Sequence, residues 1–190
     1  SELQWTSTKD SSFVPCGRTL QRLPAGAYTV YCDNAGESHF KPHLLNTDEL
    51  IEFPESVSAE VLAEIERFWS RGRRFTELGF AHRRGYLFYG KQGCGKSTLI
   101  HQIVARVVGA GHLAFFCSYP AWCQETLARL REVEPDRPVV CIFEDIDAII
   151  RQCGDSQLLQ LLDGNAQINK VVNLASTNYP ERLDRRIIAR

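Results

Sequence analysis

A chain of 190 residues, 44% hydrophobic and 24% charged, with 13 Gly and 8 Pro, has ordinary globular composition, which excludes collagen, coiled coil and wholesale disorder. Its 22 Lys plus Arg against 23 Asp plus Glu leave a formal charge of −1, so the totals do not describe a protein built to coat nucleic acid or an anionic membrane. The longest apolar runs, such as Val139 to Phe143, fall far short of the ~20 residues that a bilayer requires, and no membrane span is expected in this stretch.

Residues 1 to 18 are polar and aperiodic and read as a loosely held lead-in. Ala27 to Cys32 and Ser38 to Leu45 flank the turn-forming Asp33 to Glu37, which predicts a small β element over 19 to 46. After Pro54, Ser56 or Ser58 is placed to cap a helix carrying Val61, Ile65, Phe68 and Trp69 on one face. Glu55, Glu60 and Glu64 toward its start and Arg67, Arg71, Arg73 and Arg74 toward or beyond its end suit the helix dipole. This divides the chain into a β-rich element over 1–55, a helix and linker over 56–84, and a core over 85–190.

From Arg84 the pattern changes to short apolar runs alternating with amphipathic helices. Gly85 to Gly90 is a buried strand, and Leu99, Ile100, Ile103, Val104, Val107 and Val108 follow helical spacing up to Gly109 and Gly111. Leu113 to Cys117 is the next strand, Ser118 with Pro120 opens a helix through Leu127 and Leu130, and Val139 to Phe143 is a third strand. A short helix around Leu158 to Leu162 precedes a fourth strand from Val171 to Ala175. Strands alternating with helices predict an α/β fold, a parallel sheet sandwiched by helices.

Seven cysteines form an odd count without a C-x-x-C pair and fall largely in apolar segments, so they read as core residues of a reducing compartment rather than a disulfide or zinc framework. With neither a basic start nor an apolar block in residues 1 to 15, a cytoplasmic location is the default expectation. The absence of Met suggests a piece of a longer chain.

The strongest chemical signal is GKQGCGKST, Gly90 to Thr98, which fits G-x-x-x-x-G-K-[ST] directly after one predicted strand and before one predicted helix. Backbone N–H groups of Gly90, Gln92, Gly93, Cys94 and Gly95 are placed to wrap phosphates, helped by the positive end of the helix dipole. Lys96 reaches the β- and γ-phosphates of ATP, Ser97 offers a hydroxyl to Mg²⁺, and Thr98 packs or contacts the α-phosphate. Such a loop needs carboxylates at the end of a neighbouring strand, and Val139 to Phe143 lead into them. Glu144 is expected by the metal and Asp145 as the water-polarising base, while Asp147 could be a helix cap. Asn178, just past the fourth strand, is placed to donate to the γ-phosphate and orient the attacking water.

Taken together, RRGYLFYGKQGCGKSTLI, VVCIFEDIDAII and LASTNYPERLDRRIIAR resemble the AAA family of ring-forming P-loop ATPases over roughly residues 75 to 190. The similarity leans toward the group containing the mitochondrial ATPase that translocates the folded Rieske iron–sulfur protein, where an E-D order also replaces D-E. It implies a homo-oligomeric ring, a hexamer or heptamer, that spends ATP on remodelling or translocating a protein substrate. It also implies the roles given above for Glu144, Asp145 and Asn178, and that Arg190 reaches into a neighbouring subunit's site. Lys91, Gln92 and Cys94 stand where many members have Pro, Pro and Thr, and the chain ends before the family's fifth strand and lid, so it looks cut short. Tyr119 and Trp122 lie where AAA rings often carry pore aromatics, although Pro120 and a buried Trp122 would also explain them. The alternatives are a nucleotide-gated binding module with little turnover, a DNA-dependent loader, which the near-neutral charge disfavours, and, weakest, a P-loop kinase.

Overall fold

The computed structural model describes residues 3–8, 10–45, 55–71, 83–163 and 170–188. Its centre is a six-stranded sheet in the order β4-β3-β6-β7-β8-β5, built from β3 (Gly26–Cys32), β4 (Ser38–Pro42), β5 (Arg83–Tyr89), β6 (Leu113–Phe116), β7 (Val139–Phe143) and β8 (Val171–Thr177). Pairings β3–β6, β6–β7, β7–β8 and β8–β5 are parallel, and only β4 runs antiparallel, against β3. The hairpin expected near the N-terminus therefore forms, and it is the edge of the core sheet. Its turn is tied by Asp33 Oδ1, which accepts from the N–H groups of Ala35 and Glu37, each at 2.9 Å. At the opposite edge, among the described strands, β5 pairs with β8 alone.

Side-chain alternation along the strands separates two apolar layers. Leu113, Phe115, Val139, Cys141, Phe143 and Val171 face α3 (Pro120–Val133), α4 (Ile146–Cys153) and α5 (Asp155–Asp163). Ala114, Phe116, Val140, Ile142, Val172 and Leu174 face α1 (Glu55–Ser70) and α2 (Lys96–Gly109). In α2 the buried positions Ile100, Ile103, Val104 and Val107 follow the i, i+3, i+4, i+7 pattern of one helical face. The helix stops where Gly111 adopts a left-handed φ of 88° and the His112 N–H returns to the Val107 carbonyl at 3.1 Å. A four-residue helix, α6 (Arg185–Ile188), follows a 3-10 turn at Pro180–Arg182.

Three expectations change. Residues 4 to 16 are a two-stranded antiparallel sheet, β1 (Gln4–Ser7) and β2 (Phe13–Cys16), rather than an irregular lead-in. Its turn is closed by Thr8 N–H to Ser12 O at 2.8 Å and by bonds of the Thr8 hydroxyl to Asp10 and Ser12, which a hydropathy pattern does not register. The helix at α1 begins at Glu55, so neither Ser56 nor Ser58 caps it; Ser58 is buried and accepts from Arg106 Nε at 2.9 Å, tying α1 to α2. The helix expected around Leu158 forms as α5, and an unexpected one, α4, precedes it, the two being divided at Gly154 with its φ of 83°. Arg73 and Arg74 lie outside the described residues.

Candidate active site

The site grows from strand register. Tyr89 pairs with Thr177 across β5–β8, and Phe143 pairs with Ala175 across β7–β8, so Gly90, Asn178 and Glu144 all emerge at the carboxyl end of the sheet. In parallel sheets that edge is where helix N-termini and loop amides converge.

The loop after β5 needs glycine at specific points. Gly95, at φ 88°, is the N-cap of α2 and offers no side chain to the helix, and the first turn carries no acidic residue. No side chain therefore caps the N–H groups of that turn, which leaves them available to an anion. At Gly90, φ is 154° and a Cβ would come within 3.0 Å of Cys94 Sγ, so the strand can turn into the loop only without a side chain. Gln92, Gly93, Cys94 and Ser97 are exposed, and Thr98 is half-buried.

Lys96 is the hub. Its Nζ donates to Gly90 O at 2.9 Å, Lys91 O at 3.0 Å and Asn178 Oδ1 at 2.7 Å, and lies 3.7 Å from Cys94 Sγ. One ammonium thus joins the loop and the end of β8, over a separation of 82 residues between Lys96 and Asn178.

Glu144 and Asp145 follow β7 and differ in setting. Glu144 is half-buried, with Oε1 at 3.8 Å from His101 Nε2. Asp145 is exposed and occupies the N-cap of α4 at φ 49° and ψ 55° without a side-chain capping bond. Its backbone N–H donates to Ser176 Oγ at 3.1 Å, which fixes the turn to β8. Asp147, weighed as a cap, is instead buried in the first turn of α4, accepting from Thr177 Oγ1 at 2.9 Å and pairing with Arg151 at 3.5 Å. The Thr177 hydroxyl in turn accepts from the Tyr179 N–H at 3.0 Å, which holds the backbone on either side of Asn178.

Sequence reasoning missed His101, whose Nε2 is buried without a hydrogen-bond partner while the ring stands edge-on to Phe116. The signal was available, because His101 is four residues after Ser97 and shares its helical face. The His43 ring also stacks on Phe116 at 3.9 Å, and burial, followed by the neighbouring His101, lowers its pKa against the opposing pull of Glu144. Tyr119 and Trp122 sit at the start of α3 with rings 4.4 Å apart, Trp122 half-buried and the Tyr119 hydroxyl accepting from Gln152 at 2.7 Å. Arg186 is held by Asp184 at 2.7 Å, and Arg190 lies outside the described residues.

The oxygen donors at this edge, the Ser97 hydroxyl and the Glu144 carboxylate, are accessible and of the hard type that Mg²⁺ takes, so the residues fit that ion.

The family model described as "ATPase family associated with various cellular activities (AAA)" matches residues 86–190, more than half of the chain. The chain is 28% identical over 145 residues to "Mitochondrial chaperone BCS1" of Danio rerio, covering 67% of this chain and 34% of that protein. It is 26% identical over 150 residues to the Homo sapiens protein of the same name, covering 70% of this chain and 35% of that one. To "ATPase family gene 2 protein homolog B" of Homo sapiens it is 34% identical over 147 residues, covering 68% of this chain and 19% of that protein. The chain therefore spans about a third or less of these relatives. The cytoplasmic expectation is overturned: two of the three relatives are named mitochondrial, and residues 1 to 15 of a chain that spans so little of them do not bear on location.

Proposed function

The chain belongs to the AAA family of ATPases, and from that premise we propose that it binds Mg-ATP at Gly90–Thr98 and hydrolyses it within a homo-oligomeric ring acting on a protein client. The observation that carries this reading is the convergence on Lys96 Nζ of two loop carbonyls and the Asn178 amide. An ammonium collected by neutral acceptors is held ready for an anion, and a triphosphate can replace the carbonyls with charged oxygens, whose hydrogen bonds are roughly twice as strong.

In this reading the amides of Gly90 to Gly95 and the start of α2 bind the β- and γ-phosphates, with Lys96 across them. Ser97 and Glu144 would hold Mg²⁺, which supplies charge neutralisation at the phosphate oxygens. Asp145, exposed and free of a capping bond, accepts a proton from the attacking water. Asn178, its backbone fixed by Thr177, positions that water and donates from its amide Nδ2 to the γ-phosphate, while its Oδ1 accepts from Lys96. Arg190 from a neighbouring subunit neutralises charge developing in transfer. The word "chaperone" in the names of two relatives supports a protein client over nucleic acid, as does the near-neutral charge.

Phosphate release tests the assignment. Asp145→Asn is expected to keep Mg-ATP binding and lose turnover by at least about a hundredfold, the scale of a lost general base. Glu144→Gln should shift the Mg²⁺ dependence to higher concentration. An Asp145→Asn protein that turns over at the unmodified rate would remove Asp145 as base.

A further inference from the structure

Behind the sheet edge lies a second constellation that the phosphate chemistry does not use. Cys117 follows β6, Cys123 is in the first turn of α3, and Cys141 is in the middle of β7; all three are buried. Their sulfurs converge: Cys117 and Cys123 are 2.8 Å apart, Cys123 and Cys141 3.8 Å, and all three lie within 4.8 Å of one another. Three chain segments that approach only in the folded state thus aim soft donors at one point, and Cys16, Cys32, Cys94 and Cys153 are not part of this group.

The donor set is selective. No carboxylate or imidazole joins the three thiols among the described residues, which disfavours Mg²⁺ and Ca²⁺. Structural zinc takes four ligands in a tetrahedron, and a fourth is not present in this group. A three-coordinate soft ion with metal–sulfur distances of about 2.3 Å would set its sulfurs about 4 Å apart, near the 3.8 Å between Cys123 and Cys141, and would spread Cys117 and Cys123 from their 2.8 Å. We propose that Cys117, Cys123 and Cys141 form a binding site for a soft monovalent d¹⁰ ion, Cu(I), at the junction of β6, α3 and β7.

Binding forms a Cu–S bond at each engaged sulfur and releases the thiol proton to solvent, with no change of oxidation state. Entry is short. A cavity of about 180 Å³ opens beside Cys117 and is lined also by Ile142, Glu144 and Gln152, so the cluster adjoins the carboxylate end of β7.

The test is an anaerobic titration of the chain with tetrakis(acetonitrile)copper(I) against a chromophoric Cu(I) chelator, following ultraviolet thiolate-to-metal absorption. A chain with Cys16, Cys32, Cys94 and Cys153 replaced by Ser should still take one Cu(I). Adding Cys123→Ala or Cys141→Ala to it should weaken binding by more than about a hundredfold, beyond the loss expected from outer-shell changes. Both variants are checked by circular dichroism melting, and the one that melts cooperatively is scored; Cys141→Val supplies a volume-conserving replacement if neither does. Absence of stoichiometric Cu(I) in the folded four-Ser chain, or equal binding after loss of Cys123 or Cys141, overturns the proposal. So does a Cys117–Cys123 disulfide, seen as a 2 Da loss on mild oxidation, in a chain that takes no Cu(I) when reduced.

Discussion

Asp145 sits at φ 49°, in the left-handed region where Asp and Asn are several-fold enriched and other side chains are strained. That backbone demand bears on the E-D order, since the residue at this turn must tolerate the conformation as well as present a carboxylate. It also makes Asn the clean replacement for testing chemistry. Asp145→Ala is expected to unfold about 1 kcal/mol more easily than Asp145→Gly in urea, because only Gly escapes the Cβ clash. Equal stabilities would mean that the turn is not held where it stands. The placement of Lys96, Glu144, Asp145 and Asn178 at one end of the sheet was legible because each is tied to a local pattern, a glycine loop or a strand end. Ser176 was not, since its role comes from a contact across the sheet, with the Asp145 N–H over 31 residues.

Helices α1 and α2 cover one face of the sheet, and their packing predicts how the fold fails. Ile103 is fully buried between α2 and the strands, so Ile103→Ala should cost about 2–5 kcal/mol in urea unfolding. At the end of α2, His112 stands edge-on to Trp69 of α1 at 4.6 Å, and burial holds its pKa below 6.5, as it does for His43 on Phe116. A histidine kept neutral in the fold binds fewer protons than the unfolded chain near that pH, so stability rises with pH through the window and falls on acidification. The urea midpoint should drop as pH is lowered from about 7.5 to about 5.5, and His43→Gln with His112→Gln should flatten that slope. An unchanged slope would assign the acid sensitivity to other groups. At this scale the alternation of strands and helices from Arg84 onward was readable from periodicity. The β1–β2 hairpin was not, because strands of 4 residues held by turn hydroxyls leave too short a pattern, and α4 was not, because its 8 residues follow directly on the acidic strand end.

For the whole molecule, the docking of β3 and β4 onto β6 joins the N-terminal hairpin to the sheet that carries the site, with His43 reaching to Phe116 beside His101. No sequence pattern announces that two distant segments share a sheet, since pairing of β3 with β6 is a choice among edges. If a neighbouring subunit supplies Arg190, phosphate release per chain should rise with protein concentration by a factor within the roughly 10³ to 10⁵ that such an arginine contributes. A rate flat across the assembly transition would favour the nucleotide-gated binding module. Underneath that lies the claim that Lys96 and its loop form a triphosphate site, and calorimetric titration of Mg-ATP into the chain and into Lys96→Ala tests it most directly. The expected result is one saturable site in the chain, with about 2.7 kcal/mol of added stability at a hundred times Kd, and no site in a Lys96→Ala protein that melts normally without nucleotide. Equal binding by both proteins, or by neither while both are folded, would contradict it.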